Sequence, residues 1–168
     1  MSGEQQSGHK TVDDRRKNVE EEINKLLERL GIPVDCPNAP LAKEYLSATR
    51  DEINSLSKSE CLNRAFVLGQ HSMNIQLQYN IESARVKWAN TMLGKIASRE
   101  DDGKSNKFVN FEEKKLKAAI NDSAASRLLD IKIYSESRMT YLEFISSSIN
   151  NMVNTLKELA KIKEHSNA

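Results

Sequence analysis

Residue types that bind metals or catalyse reactions are few and scattered in this chain. The three histidines are His9, His71 and His165, and His71 has no Cys, His or carboxylate three or four residues away. Because a metal site needs converging ligands, we expect no metal ion. The sequence contains no glycine-rich phosphate loop, no GxSxG motif and no HExxH motif. It therefore predicts a protein that is not an enzyme and needs no cofactor.

The two cysteines indicate a compartment rather than a reaction. Cys36 and Cys61 lack CxxC spacing and have no cluster of other ligands nearby. One interpretation is a disulfide between them; the favoured one is two free thiols in a reducing cytosol. No apolar run approaches the ~18 residues that a membrane span requires, and residues 1–10 lack the apolar stretch of a signal peptide. We therefore expect a cytoplasmic protein with no membrane partner.

Basic residues are concentrated in one stretch of a chain whose net charge is only +1. That balance excludes a uniformly basic nucleic-acid binder but is compatible with a local basic patch. The candidate DNA-binding residues are Arg85, Lys87, Lys95, Arg99, Lys104 and Lys107. Such a patch, repeated in an oligomer, would suit a phosphate backbone. An ordinary mixed-charge surface explains the same pattern, because five acidic residues lie in the same stretch: Glu100, Asp101, Asp102, Glu112 and Glu113.

Residues 1–40 predict an arm that precedes the main domain. Residues 1–10 are polar and are expected to be disordered. Apolar residues at helical spacing predict a first helix over residues 13–30, which Gly31 can close. Residues 32–40 contain every proline of the sequence, which predicts an extended linker. The predicted organisation is a disordered tail, helical arm and Pro-rich linker over residues 1–40, followed by one helical oligomerising and DNA-binding domain over residues 41–168.

The pattern of residues 41–168 predicts an all-α fold with two long helices. Helical spacing of apolar residues indicates helices over residues 41–56, 60–97 and 123–164. Asn110 and Glu113 resemble a capping box that opens a shorter helix, in which Leu116 and Ile120 are expected to face inward. Trp88 could stack a base, but its place on an apolar stripe favours a core position. The two long helices and the charged loop over residues 98–107 predict an antiparallel hairpin with shorter helices around it.

The last predicted helix carries a heptad seam of apolar residues. The seam consists of Leu142, Ile145, Ile149, Met152, Leu156 and Leu159, at alternating intervals of three and four. This spacing is typical of a coiled-coil-like helix, and it predicts that the chain forms a homo-oligomer through these residues. One helix of an intramolecular bundle shows the same stripe, so the pattern alone leaves both interpretations open.

Two patches of the sequence resemble the phage UvsY-like recombination mediators. The first is Leu68-Gly69-Gln70-His71-Ser72, followed by Ile81-Glu82 and then by Arg99 and Asp101. The second contains Lys117, Ile120 and Asp130, followed by Leu142-Glu143-Phe144 and Ser146, with a shift of about two residues between Asp130 and Leu142. The resemblance covers roughly residues 60–165. It does not extend to residues 1–57, which form a longer N-terminal region than is usual in the family.

The resemblance implies an accessory factor of homologous recombination. Such proteins are not enzymes. They bind single-stranded DNA coated by a single-strand-binding protein, help to load a recombinase, and form rings through C-terminal helices. For a phage-encoded protein, the implied compartment is the host cytoplasm. The family's basic DNA-binding pair falls here on Asn90 and Met92, which are not basic, so Lys87 and Lys95 are the expected substitutes. The alternative is a helical scaffolding or assembly protein that binds no nucleic acid.

Overall fold

The computed structural model describes residues 11–31, 38–100 and 110–165. Within these ranges the chain forms α-helices and no strands. The helices are α1 (Val12–Arg29), α2 (Ala39–Leu46), α3 (Arg50–Ser55), α4 (Lys58–Glu100), α5 (Phe111–Asn121) and α6 (Ser123–His165). The predicted all-α fold class is therefore confirmed. The predicted disordered tail and most of the predicted linker lie outside the described residues.

Helix α1 begins and ends at residues suited to those positions. Thr11 and Asp14 form a capping box, in which the Thr11 hydroxyl accepts from the Asp14 amide and the Asp14 carboxylate accepts from the Thr11 amide. Gly31 follows the helix with a φ of +66°, a left-handed conformation that costs little without a side chain. The first helix thus lies where the sequence predicts it.

The helix predicted over residues 41–56 is in fact two short helices. α2 begins two residues earlier at Ala39, so Pro40 belongs to its first turn, where a missing amide proton costs nothing. Thr49 then interrupts the helix, because its hydroxyl accepts from the Glu52 amide while the Glu52 carboxylate accepts from the Thr49 amide. This capping box satisfies the first amides of a new helix. The helix is therefore interrupted, although the helical spacing of apolar residues continues across the interruption.

Helices α4 and α6, each 43 residues long, form the centre of the structure. Three polar pairs connect them: Lys58 with Glu164, Ser72 with Ser146, and Glu82 with Arg138. The residue number on α6 falls as that on α4 rises, which is the order expected for antiparallel neighbours. Their interface contains the largest fully buried apolar side chains of the described residues, namely Leu68, Leu93, Leu128, Ile149 and Leu156.

The remaining helices pack on this pair at its two ends. At the end that contains the start of α4, Ala42 of α2 joins the core, with Tyr45 packed against it. The Lys163 ammonium donates to the carbonyl oxygens of Asn54 and Leu56 and so ties the last turns of α6 to the end of α3. At the opposite end, α5 packs through a cluster of three alanines: Ala97, Ala118 and Ala125.

Helix α5 is rotated relative to the sequence-based prediction. Leu116 and Ile120, which were expected to face inward, are 51% and 82% exposed. The buried residues of α5 are instead Lys115 and Ala118. Only a small side chain fits where Ala118 meets the other two alanines, so the methyl group rather than the leucine defines the inner face. The predicted capping box is also incomplete, because Asn110 accepts from the amide of Glu112.

A buried carboxylate links α1, α4 and α6. Glu82 is only 1% exposed and forms ion pairs with Arg85 at 2.7 Å and Arg138 at 3.1 Å. Arg85 also lies 3.0 Å from the Glu20 carboxylate of α1. A carboxylate removed from water is tolerated only when opposite charges compensate it. Arg85 and Arg138 provide that compensation for Glu82.

Replacing Glu82 with Ala should lower the free energy of unfolding by about 2–3 kcal/mol, because two arginines lose the charge that compensates them. We expect less than the largest values known for buried pairs, since the Arg138 side chain is 43% exposed. Urea denaturation measures the difference. Glu143→Ala, which removes an exposed carboxylate from α6, is the control and should change stability by less than about 0.5 kcal/mol. If Glu82→Ala and Glu143→Ala lowered the free energy of unfolding equally, Glu82 would not be the buried carboxylate that compensates the two arginines.

Candidate nucleic-acid groove between α4 and α5

A row of exposed cations follows the last turns of α4. Lys87, Lys95 and Arg99 are all exposed, and Thr91 lies between the first two. Four-residue steps keep neighbouring side chains on one side of a helix. The Cα atoms of Lys87 and Lys95 are therefore about 12 Å apart along the axis, at ~1.5 Å per residue. Because lysine side chains are long and flexible, two cations at this spacing could contact different phosphates of one extended strand.

Two of these cations line a groove between α4 and α5. The groove has a volume of about 470 Å³ and is lined by Asn90, Thr91, Gly94, Lys95, Ser98, Arg99, Phe111 and Lys115. Of the six residues predicted to bind DNA, Lys95 and Arg99 therefore meet at one site. Lys87 lies about two turns before Lys95 and about three turns before Arg99 on the same helix. Lys104 and Lys107 lie outside the described residues.

Arg85 does not belong to this groove. Its side chain is 21% exposed and pairs with Glu82 and Glu20. It lines a different cavity, of about 400 Å³, together with Arg16 and Arg127. Those arginines are likewise paired with acidic residues of α1, because Arg127 contacts Asp13 at 3.2 Å and Arg16 lies 3.7 Å from Glu20. The cluster is close to neutral, so Arg85 serves the packing of α1 more directly than it could serve a phosphate.

Lys115 enters the groove from α5 as a buried cation. Its ammonium donates to the Asn90 side-chain oxygen at 2.8 Å and to the Glu112 carboxylate at 2.7 Å. The hydrogen bond and charge of Lys115 lower the pKa of Glu112, although partial desolvation opposes them. Glu112 therefore stays ionised at neutral pH and offsets one positive charge beside the groove.

Phe111 is the groove residue that the sequence analysis missed. Its ring is 46% exposed, and the Lys115 ammonium lies 4.9 Å from the ring centre. The ring packs beside Gly94 of α4, where an added Cβ atom would lie 3.5 Å from the ring's Cζ atom, an ordinary van der Waals contact. The sequence shows Gly94 but not which residue approaches it.

Asn90 and Met92, where the resemblance to the UvsY-like family would place a basic pair, have structural roles here. Asn90 holds the Lys115 ammonium. Met92 is partly buried and packs against the core cluster that contains Ala89 and Leu93. Trp88 packs against the same cluster, which agrees with its interpretation as a core residue. Neither Asn90 nor Met92 supplies a charge, and among the described residues Lys87, Lys95 and Arg99 are the exposed cations on the last turns of α4.

The predicted oligomerisation seam is largely covered within the chain. Ile149 and Leu156 are each 1% exposed in the core formed with α4. The partly buried seam residues Leu142, Met152 and Leu159 pack against that same core. Only Ile145, at 42%, is substantially exposed. The intramolecular interpretation therefore accounts for most of the stripe, while self-association itself stays a prediction.

Among the described residues, no group of three or more His, Cys, Asp or Glu side chains is placed to hold a metal ion. Nor does any helix in those ranges combine the length and apolar character needed to cross a membrane. Cys61 is a buried free thiol. The sequence matches no family model, and comparison with curated proteins and with solved structures likewise finds no match.

Replacing Gly94 with Ala should raise the free energy of unfolding by about 1 kcal/mol, the cost of a glycine inside a helix. The new methyl group would meet the Phe111 ring at an ordinary van der Waals distance. Gly69→Ala, where a Cβ would have no heavy atom within 4 Å, is the matched control on the same helix. Both variants should gain similar stability in denaturant titrations. A loss confined to Gly94→Ala would show that Phe111 lies closer to α4 than described.

Proposed function

We propose that this protein is a non-enzymatic, helical binder of single-stranded DNA that acts as a recombination mediator. The observation that carries the DNA-binding part is the groove where Lys95 and Arg99 of α4 face the exposed ring of Phe111. Cations track the phosphate backbone, and an aromatic ring can stack on a base. Bases are free to do so only when they are unpaired, so the combination favours a single strand over a duplex.

The mediator part of the proposal depends on the resemblance to the UvsY-like family. The resemblance implies two protein partners, a recombinase and the single-strand-binding protein that coats DNA. We propose in addition that α4 and α6 act as an antiparallel hairpin. In this arrangement α6 supplies a coiled-coil-like contact between copies, as in a ring. The long α4–α6 pair and the cationic end of α4 are compatible with this arrangement.

Binding to oligo-dT should weaken steeply as salt increases, because each neutralised phosphate releases counterions. In the double variant Lys87→Ala/Lys95→Ala, the slope of log affinity against log salt should fall by about 1.4 units, since a contact to a single strand contributes about 0.7. Fluorescence anisotropy with labelled oligo-dT at several salt concentrations measures this slope.

The control for this experiment is Lys43→Ala/Lys157→Ala, which removes two exposed cations from other parts of the protein. It lowers the net charge equally and should leave the slope nearly unchanged. If both double variants lose affinity to the same extent, general charge rather than this site attracts DNA. A wild-type affinity that does not respond to salt would contradict electrostatic binding altogether.

Self-association is part of the proposal, and the exposed flank of α6 is the surface that best supports it. Tyr134, Tyr141, Phe144 and Ile145 are all exposed within three turns of this helix. Single exposed apolar residues are common, but a contiguous group is typical of a contact with another chain. The occupant we propose is a second copy, because Ile145 belongs to the heptad seam that predicts self-association.

Replacing both Tyr141 and Ile145 with Asp should produce a folded monomer, because charge would be buried in the contact between copies but exposed in the isolated chain. Light scattering at micromolar concentration reports the mass, and circular dichroism confirms the fold. By contrast, Ile149→Asp buries a charge in the chain's own core and should unfold the protein. A wild-type protein that is monomeric under these conditions would refute self-association.

A scaffolding or assembly protein is the second candidate, and the exposed apolar side chains on α4 favour it. Leu62, Phe66 and Met73 are exposed and recur at intervals of four and seven residues. A partner helix could cover such a stripe without any nucleic acid. The oligo-dT titration separates the candidates, because a pure scaffold should bind no DNA at low salt.

A further inference from the structure

We infer that Phe111 is the residue on which a nucleobase stacks, while Lys95 and Arg99 contact the flanking phosphates. This inference rests on the proposed binding of single-stranded DNA and assigns its base contact. It converts a general cationic surface into a defined site with one position for a base. The position is open to any base, because every base presents an aromatic face.

The groove is built so that the Phe111 ring is held but not covered. The edge of the ring packs beside Gly94 of α4, with the ring's Cζ and Cε1 atoms nearest. The Lys115 ammonium lies 4.9 Å from the ring centre and is itself fixed by Asn90 and Glu112. These contacts restrict the ring, while 46% of the residue remains exposed. A restrained aromatic surface loses little entropy when a base stacks on it.

The surroundings of the ring are those that a nucleotide needs. Lys95 and Arg99 line the same groove and are exposed, so their charges are available to phosphates on either side of a stacked base. Thr91 and Ser98 also line it. The Ser98 hydroxyl donates to the Gly94 carbonyl at 2.8 Å, which still leaves its oxygen able to accept from a base or sugar.

Two other exposed phenylalanines show why exposure alone does not carry the inference. Phe66 and Phe144 are 63% and 73% exposed, more than Phe111. Neither lines the groove. Phe111 differs in being fixed from two sides beside two unburied cations. Phe66 supplies a matched control residue of identical chemistry.

The test compares oligo-dT with an abasic strand of equal length, which keeps the phosphates but has no bases to stack. Wild-type protein should bind oligo-dT more tightly than the abasic strand. Phe111→Leu keeps an apolar contact with Gly94 but removes the aromatic face. It should weaken binding to oligo-dT by about 5- to 100-fold, and it should leave binding to the abasic strand and the salt slope unchanged. Phe66→Leu, at an exposed phenylalanine outside the groove, should bind both strands like wild type.

A second pair of variants tests the groove without altering Phe111. Gly94→Leu would fill the space beside the ring and should weaken oligo-dT binding at least as much as Phe111→Leu. Gly69→Leu adds the same side chain to α4 at a position with open space and should have no effect. Denaturant titrations of all four variants show whether each one is folded.

The outcomes distinguish this inference from the proposed function. If wild-type protein binds neither strand, the proposed function fails and the base contact fails with it. If wild type binds oligo-dT but Phe111→Leu binds it equally well, the base contact is refuted and DNA binding stands. Equal weakening toward the two strands would make Phe111 a structural support of the cations, which also overturns the inference.

Discussion

The structure depends on the burial of one apolar face of α4 against one face of α6. Each of the fully buried residues Leu68, Leu93, Leu128, Ile149 and Leu156 contributes about 1.5–3 kcal/mol relative to an exposed position. Helices of 43 residues would otherwise leave that face in water. The short helices α2 and α5 add to this interface at its ends and have no separate core of their own.

The polar residues within this interface restrict how the two helices align. The Ser72 hydroxyl contacts the Ser146 hydroxyl at 3.2 Å and donates to the Asn150 side-chain oxygen at 3.0 Å. Glu82 meets Arg138 across the helices. Sliding α6 by one turn would separate both sets and leave buried polar atoms without partners, which costs more than the bonds themselves contribute. Apolar contacts supply most of the stability, and these polar contacts favour one register.

The sequence predicts some parts of this structure better than others, because the spacing of apolar residues indicates which residues are buried but not what covers them. Apolar spacing records which residues of a long helix are buried, so α4 and α6 could be located closely. It does not record which partner covers them, and the same Ile149–Leu156 stripe therefore fits either a core or a contact between copies. For α5 the inner face is set by the space beside Ala97, so Ala118 is buried while Leu116 is not. The groove was unpredictable for the same reason, since Phe111 and Gly94 are adjacent only after folding.

The alanine cluster has a consequence for how the protein can respond to a ligand. Ala97, Ala118 and Ala125 are almost completely buried, and each presents only a methyl group to the other two helices. Such side chains have no rotamers to change, so this end of the molecule cannot adjust its shape by repacking. The spacing of α4 and α5 beside the groove is therefore set by contacts between methyl groups and backbones and not by a choice of rotamers. A strand bound as proposed would have to fit that spacing between the two helices.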